Sequence, residues 1–108
     1  MLKDETINRI VKDIVEETNP EKIILFGSYA NGTQNEDSDL DLLIVEKESF
    51  DKIRSRRKEI NRIRKKLSEY RISKDILIYD LNEFNDWKNS INHIIGKSVR
   101  EGKILYER

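Results

Sequence analysis

Short apolar runs alternate along this chain with segments of helical periodicity, and this alternation constrains the fold more than any other feature. The runs at 22–26, 39–45 and 74–79 have the length of buried strands. Apolar side chains recur at helical spacing in residues 3–18, in 50–70 and in a final segment from Trp87 to Val99. Gly102 is placed to end that last helix, and 103–106 could add a short strand or a tail. The order predicts an α/β fold with a three- or four-stranded sheet flanked by helices.

The length and composition favour a single domain that covers residues 1–108. The chain has no cysteine, which excludes disulfides, thiolate catalysis and cysteine-bound metals. No apolar run is long enough for a signal peptide or a membrane span, so we expect a cytoplasmic protein that does not act at a membrane.

The net charge is zero, but the charges are unevenly distributed. Residues 1–46 carry 4 basic and 11 acidic side chains, whereas residues 47–74 carry 12 basic and 4 acidic ones. The basic helix predicted at 50–70 is either a solvated face or a surface for an acidic partner or for the phosphates of a nucleic acid. Few aromatic residues interrupt it, so nucleic acid is not expected as a direct ligand.

Gly27 and Ser28 directly follow the first predicted strand. Glycine permits a tight turn and lets a ligand approach the backbone, because it has no Cβ. Ser28 then offers a hydroxyl and a backbone N–H at a helix start, where anions are favoured. We interpret the pair as a candidate phosphate-binding turn.

Two aspartates, Asp39 and Asp41, alternate with leucines at the start of the second predicted strand. Side chains two apart share one face of a strand, about 6.5–7 Å apart. Carboxylates suit Mg²⁺, and two such ions about 3.5–4 Å apart can hold both oxygens of a phosphoryl displacement. Asp75, at the start of the next strand, is the candidate third carboxylate. Ser38 either orients Asp39 or only closes the preceding loop.

Gly27-Ser28, ten intervening residues and then Asp39-Leu40-Asp41 resemble the G-S-x10-D-x-D motif of DNA polymerase β-like nucleotidyltransferases. The short chain is similar to the minimal nucleotidyltransferase (MNT) group of that superfamily, and the closing residues 99–107 are similar to the ends of MNT proteins. Many relatives have arginine after Gly-Ser. Here Tyr29 takes that place, which puts a triphosphate contact from this position in question.

The resemblance implies a mixed sheet flanked by helices and a magnesium-dependent reaction with ATP. Asp39, Asp41 and Asp75 would bind two Mg²⁺ ions, with Asp75 also acting as general base. Gly27 and Ser28 would hold the β- and γ-phosphates of the nucleotide, and Ser38 is a further candidate for contact with it. MNT proteins act as antitoxins that transfer AMP to a tyrosine of a HEPN ribonuclease toxin, in a type VII-like toxin–antitoxin pair.

Two other functions remain open at this point. The chain could neutralise a HEPN partner by binding alone, with a vestigial site. Alternatively, it could transfer a nucleotide to a small molecule or to an RNA end. The sequence also leaves open whether the chain forms a homo- or hetero-oligomer.

Overall fold

The computed structural model describes residues 2–108. Within that range, helices and strands follow one another in an order close to the predicted one. They are α1 (Asp4–Thr18), β1 (Lys22–Phe26), α2 (Ser28–Asn31), β2 (Leu40–Glu46), α3 (Arg56–Lys66), β3 (Lys74–Asp80), α4 (Leu81–Trp87), α5 (Ile94–Glu101) and β4 (Lys103–Glu107). No helix in this described part is long and apolar enough to cross a membrane.

The four strands form one mixed sheet in the order β3-β2-β1-β4. β1 is antiparallel to both of its neighbours, and β2 and β3 are parallel. The parallel pair needs a crossover connection, which contains α3. The predicted sheet flanked by helices is confirmed, and the short strand foreseen near residue 103 supplies its fourth member.

Helices cover both faces of the sheet, so the central strand β2 is buried on both sides. Leu40, Leu42 and Ile44 point into the larger core, to which α1 and α3 contribute. Leu43 and Val45 point the other way, into a smaller core with residues of α4 and α5. Because side chains alternate along a strand, the second residue of β2 lies on the side of the smaller core.

The helix predicted at 50–70 is shorter in the structure, where it begins at Arg56 and ends at Lys66. The Asp51 carboxylate accepts the backbone N–H groups of Ile53 and Arg54 and forms a local turn. Ser55 then caps α3 by accepting the N–H of Lys58. Ile53, assigned by its spacing to the buried stripe, is therefore 92% exposed.

The single final helix predicted across Trp87 to Val99 is wrong, because two helices separated by a loop occupy this segment. α4 ends at Trp87, and α5 starts again after His93, whose Nδ1 accepts the N–H of Ile95. Arg100 holds the loop by donating to the carbonyl of Ser90. Ile91 lies in this loop and is 81% exposed.

Three charged side chains meet where β2 ends, on the α3 side of the sheet. Arg54 donates to Glu46 at 2.6 Å and to Glu59 at 3.3 Å, and both carboxylates are almost fully buried. Burial, followed by the neighbouring Glu59, raises the pKa of Glu46 to about 8. Glu46 therefore keeps its proton near neutral pH.

Replacing Glu46 by glutamine should flatten the pH dependence of stability. The folded pKa of about 8 lies above the ordinary glutamate value of 4.5. Between these values the native state holds a proton that the unfolded chain has lost, so the stability it contributes falls as pH rises. The limiting slope is about 1.4 kcal/mol per pH unit. Urea unfolding from pH 5 to 8.5 measures it.

Glu48→Gln is the matched control, because Glu48 contacts the same arginine from an 80% exposed position. Its stability should follow the wild-type pH curve. An unchanged slope in Glu46→Gln would contradict a protonated Glu46.

Candidate active site

The turn after β1 brings the backbone of Gly27 against the side chain of Asp41. Gly27 has φ +72° and ψ −154°, a conformation that L side chains rarely adopt. A Cβ at this position would lie 2.1 Å from Asp41 Oδ2. The carboxylate therefore occupies the space that any other residue at position 27 would fill.

Strand pairing places Asp41 between the end of β1 and the start of β3. Its Cα partners are Phe26 on one side and Asp75 on the other. In a parallel pair, residues in register point to the same face, so Asp41 and Asp75 share the side of the smaller core. The two aspartates, 34 positions apart in the sequence, are neighbours across the sheet.

Asp39 lies just before β2, which begins at Leu40 and not at Asp39 as predicted. The preceding residues form a turn in which the Ser38 N–H donates to the carbonyl of Asn35, and ladder bonding starts with the Leu40 N–H. Asp39 is exposed and remains two residues from Asp41.

The three carboxylates act on one another electrostatically. Burial raises the pKa of Asp41, and the charges of Asp75 and then Asp39 raise it further. None of the three forms an ion pair with another residue in the described range 2–108. The cluster therefore carries negative charge that the chain itself does not neutralise.

The chemistry of this cluster fits a hard divalent cation such as Mg²⁺. Its donors are carboxylate oxygens, and a cation would relieve the repulsion among them. Across residues 2–108, no three or more carboxylate or imidazole groups are already arranged around an ion position. Mg²⁺ usually takes only one or two protein carboxylates, together with water and substrate phosphates.

The structure places the two predicted serines differently. Ser28 is the first residue of α2 and lies beside Gly27, partly exposed. The Ser38 hydroxyl accepts the Asn35 N–H at 2.9 Å and lies 3.4 Å from its side-chain oxygen. These bonds support the loop-closing interpretation of Ser38, and its contact with a nucleotide stays a prediction.

Tyr29 points away from the carboxylates. It is 6% exposed and belongs to the larger core. Its hydroxyl accepts the backbone N–H of Leu2 at 3.1 Å. The position after Gly-Ser therefore stabilises the packing beside α1 and offers nothing to a phosphate.

A cavity of about 250 Å³ lies next to Gly27 and was not predicted from the sequence. The end of β1, α2 and α5 enclose it, through Phe26, Gly27, Asn31, Ile94, Lys97 and Glu101. Three of these residues share one face of α5, because they are spaced i, i+3 and i+7. The spacing is present in the sequence, but two of the three side chains are charged, and charged helical positions are more typical of a solvent-facing surface.

Several arginines of the basic segment form ion pairs with other parts of the chain. Arg54 pairs with Glu46 and Glu59, and Arg56 pairs with Glu83 at 2.5 Å. Arg62 pairs with Glu59 and with Glu17 of α1. These contacts fix α3 to its neighbours.

Comparison with known proteins identifies the type of domain. A family model described as "Nucleotidyltransferase domain" matches residues 5–103. The Methanocaldococcus jannaschii protein named "Putative protein adenylyltransferase MJ0604" is 37% identical over 86 residues, which cover 79% of this chain and 77% of that protein.

A second protein from the same organism, "Putative protein adenylyltransferase MJ0141", is 42% identical over 72 residues, 67% of this chain and 63% of that protein. Among solved structures, one described as "Crystal structure of the toxin-antitoxin with AMP-PNP" is similar, with a TM-score of 0.59 and 25% identity. The match covers 94% of this chain and 73% of that one.

Gly27→Ala should abolish nucleotidyl transfer while the fold persists. The new Cβ forces the Asp41 carboxylate to move, and a misplacement of about 1 Å can cost about 100-fold in rate. The strained backbone should also cost roughly 1–3 kcal/mol of unfolding free energy. Radiolabel transfer and urea unfolding measure the two effects separately.

Gly32→Ala is the control, because Gly32 also has a positive φ, +75°, but has no atom within 4 Å of a built Cβ. It should lose roughly 1–2 kcal/mol of stability and keep transfer close to wild type. Equal losses of transfer in the two variants would show that backbone strain, not the contact with Asp41, is responsible.

Proposed function

The chain belongs to the nucleotidyltransferase domain family and is a nucleotidyltransferase enzyme, and we propose that it is an antitoxin that adenylylates its toxin. In this proposal it transfers AMP from Mg-ATP to a tyrosine hydroxyl of a partner HEPN toxin, as in a type VII-like toxin–antitoxin pair. The observation that carries the proposal is the un-neutralised carboxylate cluster of Asp39, Asp41 and Asp75 beside Gly27.

The relatives support the choice of nucleotide and of acceptor class. Both M. jannaschii proteins are named as protein adenylyltransferases, which transfer AMP to a protein. The solved toxin–antitoxin structure contains AMP-PNP, an ATP analogue. The HEPN identity of the partner and its tyrosine come from the MNT resemblance of the Gly27-Ser28 and Asp39-Leu40-Asp41 motif.

Asp75 is placed where a bulky acceptor can reach it. It is exposed, and β3, on which it lies, is an edge strand of the sheet. A tyrosine on another protein can therefore approach from the open edge, whereas Asp41 is partly covered by its neighbours. This asymmetry suits an enzyme whose acceptor is delivered by a partner. We accordingly propose that residues 1–108 form one nucleotidyltransferase domain.

The proposed reaction divides the work among these residues. Gly27 and Ser28, aided by Ser38, lie against the nucleotide, and Asp39, Asp41 and Asp75 would hold two magnesium ions. When bound, magnesium would offset the negative charge of the phosphates. Asp75 accepts the proton of the acceptor hydroxyl, whose oxygen bonds to the α-phosphorus while pyrophosphate leaves.

Asp41→Asn should reduce AMP transfer to the partner toxin by at least about 100-fold, because it removes one of the charges that organise the site. The assay incubates the protein with its purified partner, Mg²⁺ and ATP labelled at the α-phosphate, and counts label on the partner's tyrosine. Asp37→Asn, an exposed aspartate of the preceding loop, is the control and should transfer normally.

The same variants separate adenylylation from neutralisation by binding alone. If the toxin is silenced by modification, Asp41→Asn binds it but leaves its ribonuclease activity intact. If Asp41→Asn still silences it without label, binding alone is the function. If the label appears on an RNA end or on a small molecule and not on the protein, that molecule is the acceptor and the proposed protein acceptor is wrong.

A further inference from the structure

The cavity beside Gly27 adjoins the carboxylate cluster. Gly27 borders both the cluster and the cavity. The place that a Cβ would take at this residue lies against Asp41 Oδ2, and the residue also lines the cavity. A molecule that contacts the aspartates across this glycine can therefore extend into the cavity. The opposite side is formed by α5, a helix that the sequence had not separated from α4.

Lys97 is the one cationic side chain that borders this cavity in the described residues. It is exposed, and no carboxylate within residues 2–108 lies within ion-pair distance of its ammonium group. Arg100, the other cation of α5, is occupied with the carbonyls of Ser90 and Ile91. Lys97 is thus available for a ligand.

A cation from the protein would add to magnesium in offsetting the charge of a triphosphate at this site. Asp39, Asp41 and Asp75 add negative charge beside the phosphates. The position after Gly-Ser cannot compensate, since Tyr29 is neutral and buried in the larger core. An ammonium group on the facing helix can contact phosphate oxygens that project from the cluster past Gly27.

We infer that Lys97 binds the β- and γ-phosphates of the nucleoside triphosphate and is a specificity-determining residue that selects triphosphates over monophosphates. The inference rests on the proposed function, because it takes ATP as the substrate of the site. It adds a contact from α5 to those assigned to Gly27 and Ser28. A lysine suits this task, since its flexible stem lets the charge follow the phosphates until pyrophosphate departs.

The test compares binding of a non-hydrolysable ATP analogue and of AMP, each with Mg²⁺, by titration calorimetry without any acceptor. Lys97→Ala should weaken binding of the analogue about ten-fold and leave AMP binding unchanged. Lys97→Arg, which keeps the charge, should recover most of the loss. Lys88→Ala removes the same charge from an exposed position that borders a different cavity, and should bind both nucleotides as wild type does.

Two outcomes would overturn the inference. One is an unchanged affinity of Lys97→Ala for the ATP analogue. The other is an equal loss for the analogue and for AMP, which would place Lys97 at the nucleoside or α-phosphate. Because the assay contains no acceptor, it is independent of the toxin. Wild-type protein that binds ATP but labels no partner would refute the proposed function and leave the role of Lys97 standing.

Discussion

The register of β2 between its two neighbours is the constraint on which the candidate site depends. Pairing sets Asp41 opposite Phe26 on one side and opposite Asp75 on the other. A shift by one residue would turn every side chain of β2 to the other face. It would also turn Asp41 toward the larger core and Leu40 and Leu42 toward the smaller one. The same packing that stabilises the sheet therefore assembles the carboxylates.

Acidic side chains at the two ends of β2 lie in contrasting environments. Glu46, at the far end, is buried under α3 and accepts a hydrogen bond from Arg54. Burial raises its pKa, so the carboxyl group stays protonated. Asp41 at the near end has two other aspartates and no arginine or lysine as a partner in the described chain. A folding requirement explains the first arrangement, because a buried acid is neutralised or paired. The second leaves the carboxylates in contact with solvent, an arrangement that fits the binding of a cation.

The sequence predicted the sheet and the motif but not the whole surroundings of the site. Apolar runs and alternation were sufficient for β1, β2 and β3. β1 and β2 are mostly buried on both faces, and β3 alternates buried with more exposed side chains, so each leaves a strong local pattern. The start of α3 and the break between α4 and α5 depend on side-chain bonds from Asp51, Ser55 and His93. The periodicity of apolar residues in the sequence gives no sign of such bonds. The cavity depends on that break, and so Lys97 could not be assigned from sequence alone.

The contact between Gly27 and Asp41 also bears on how such a chain can evolve. Two positions 14 residues apart share one small volume, since the carboxylate fills the place of a missing Cβ. Any side chain at position 27 would displace the carboxylate of Asp41. As long as Asp41 keeps its place, position 27 can therefore only be glycine. Selection on either position is then selection on both. Among descendants of this chain that retain the chemistry, we expect the two residues to be kept together or lost together.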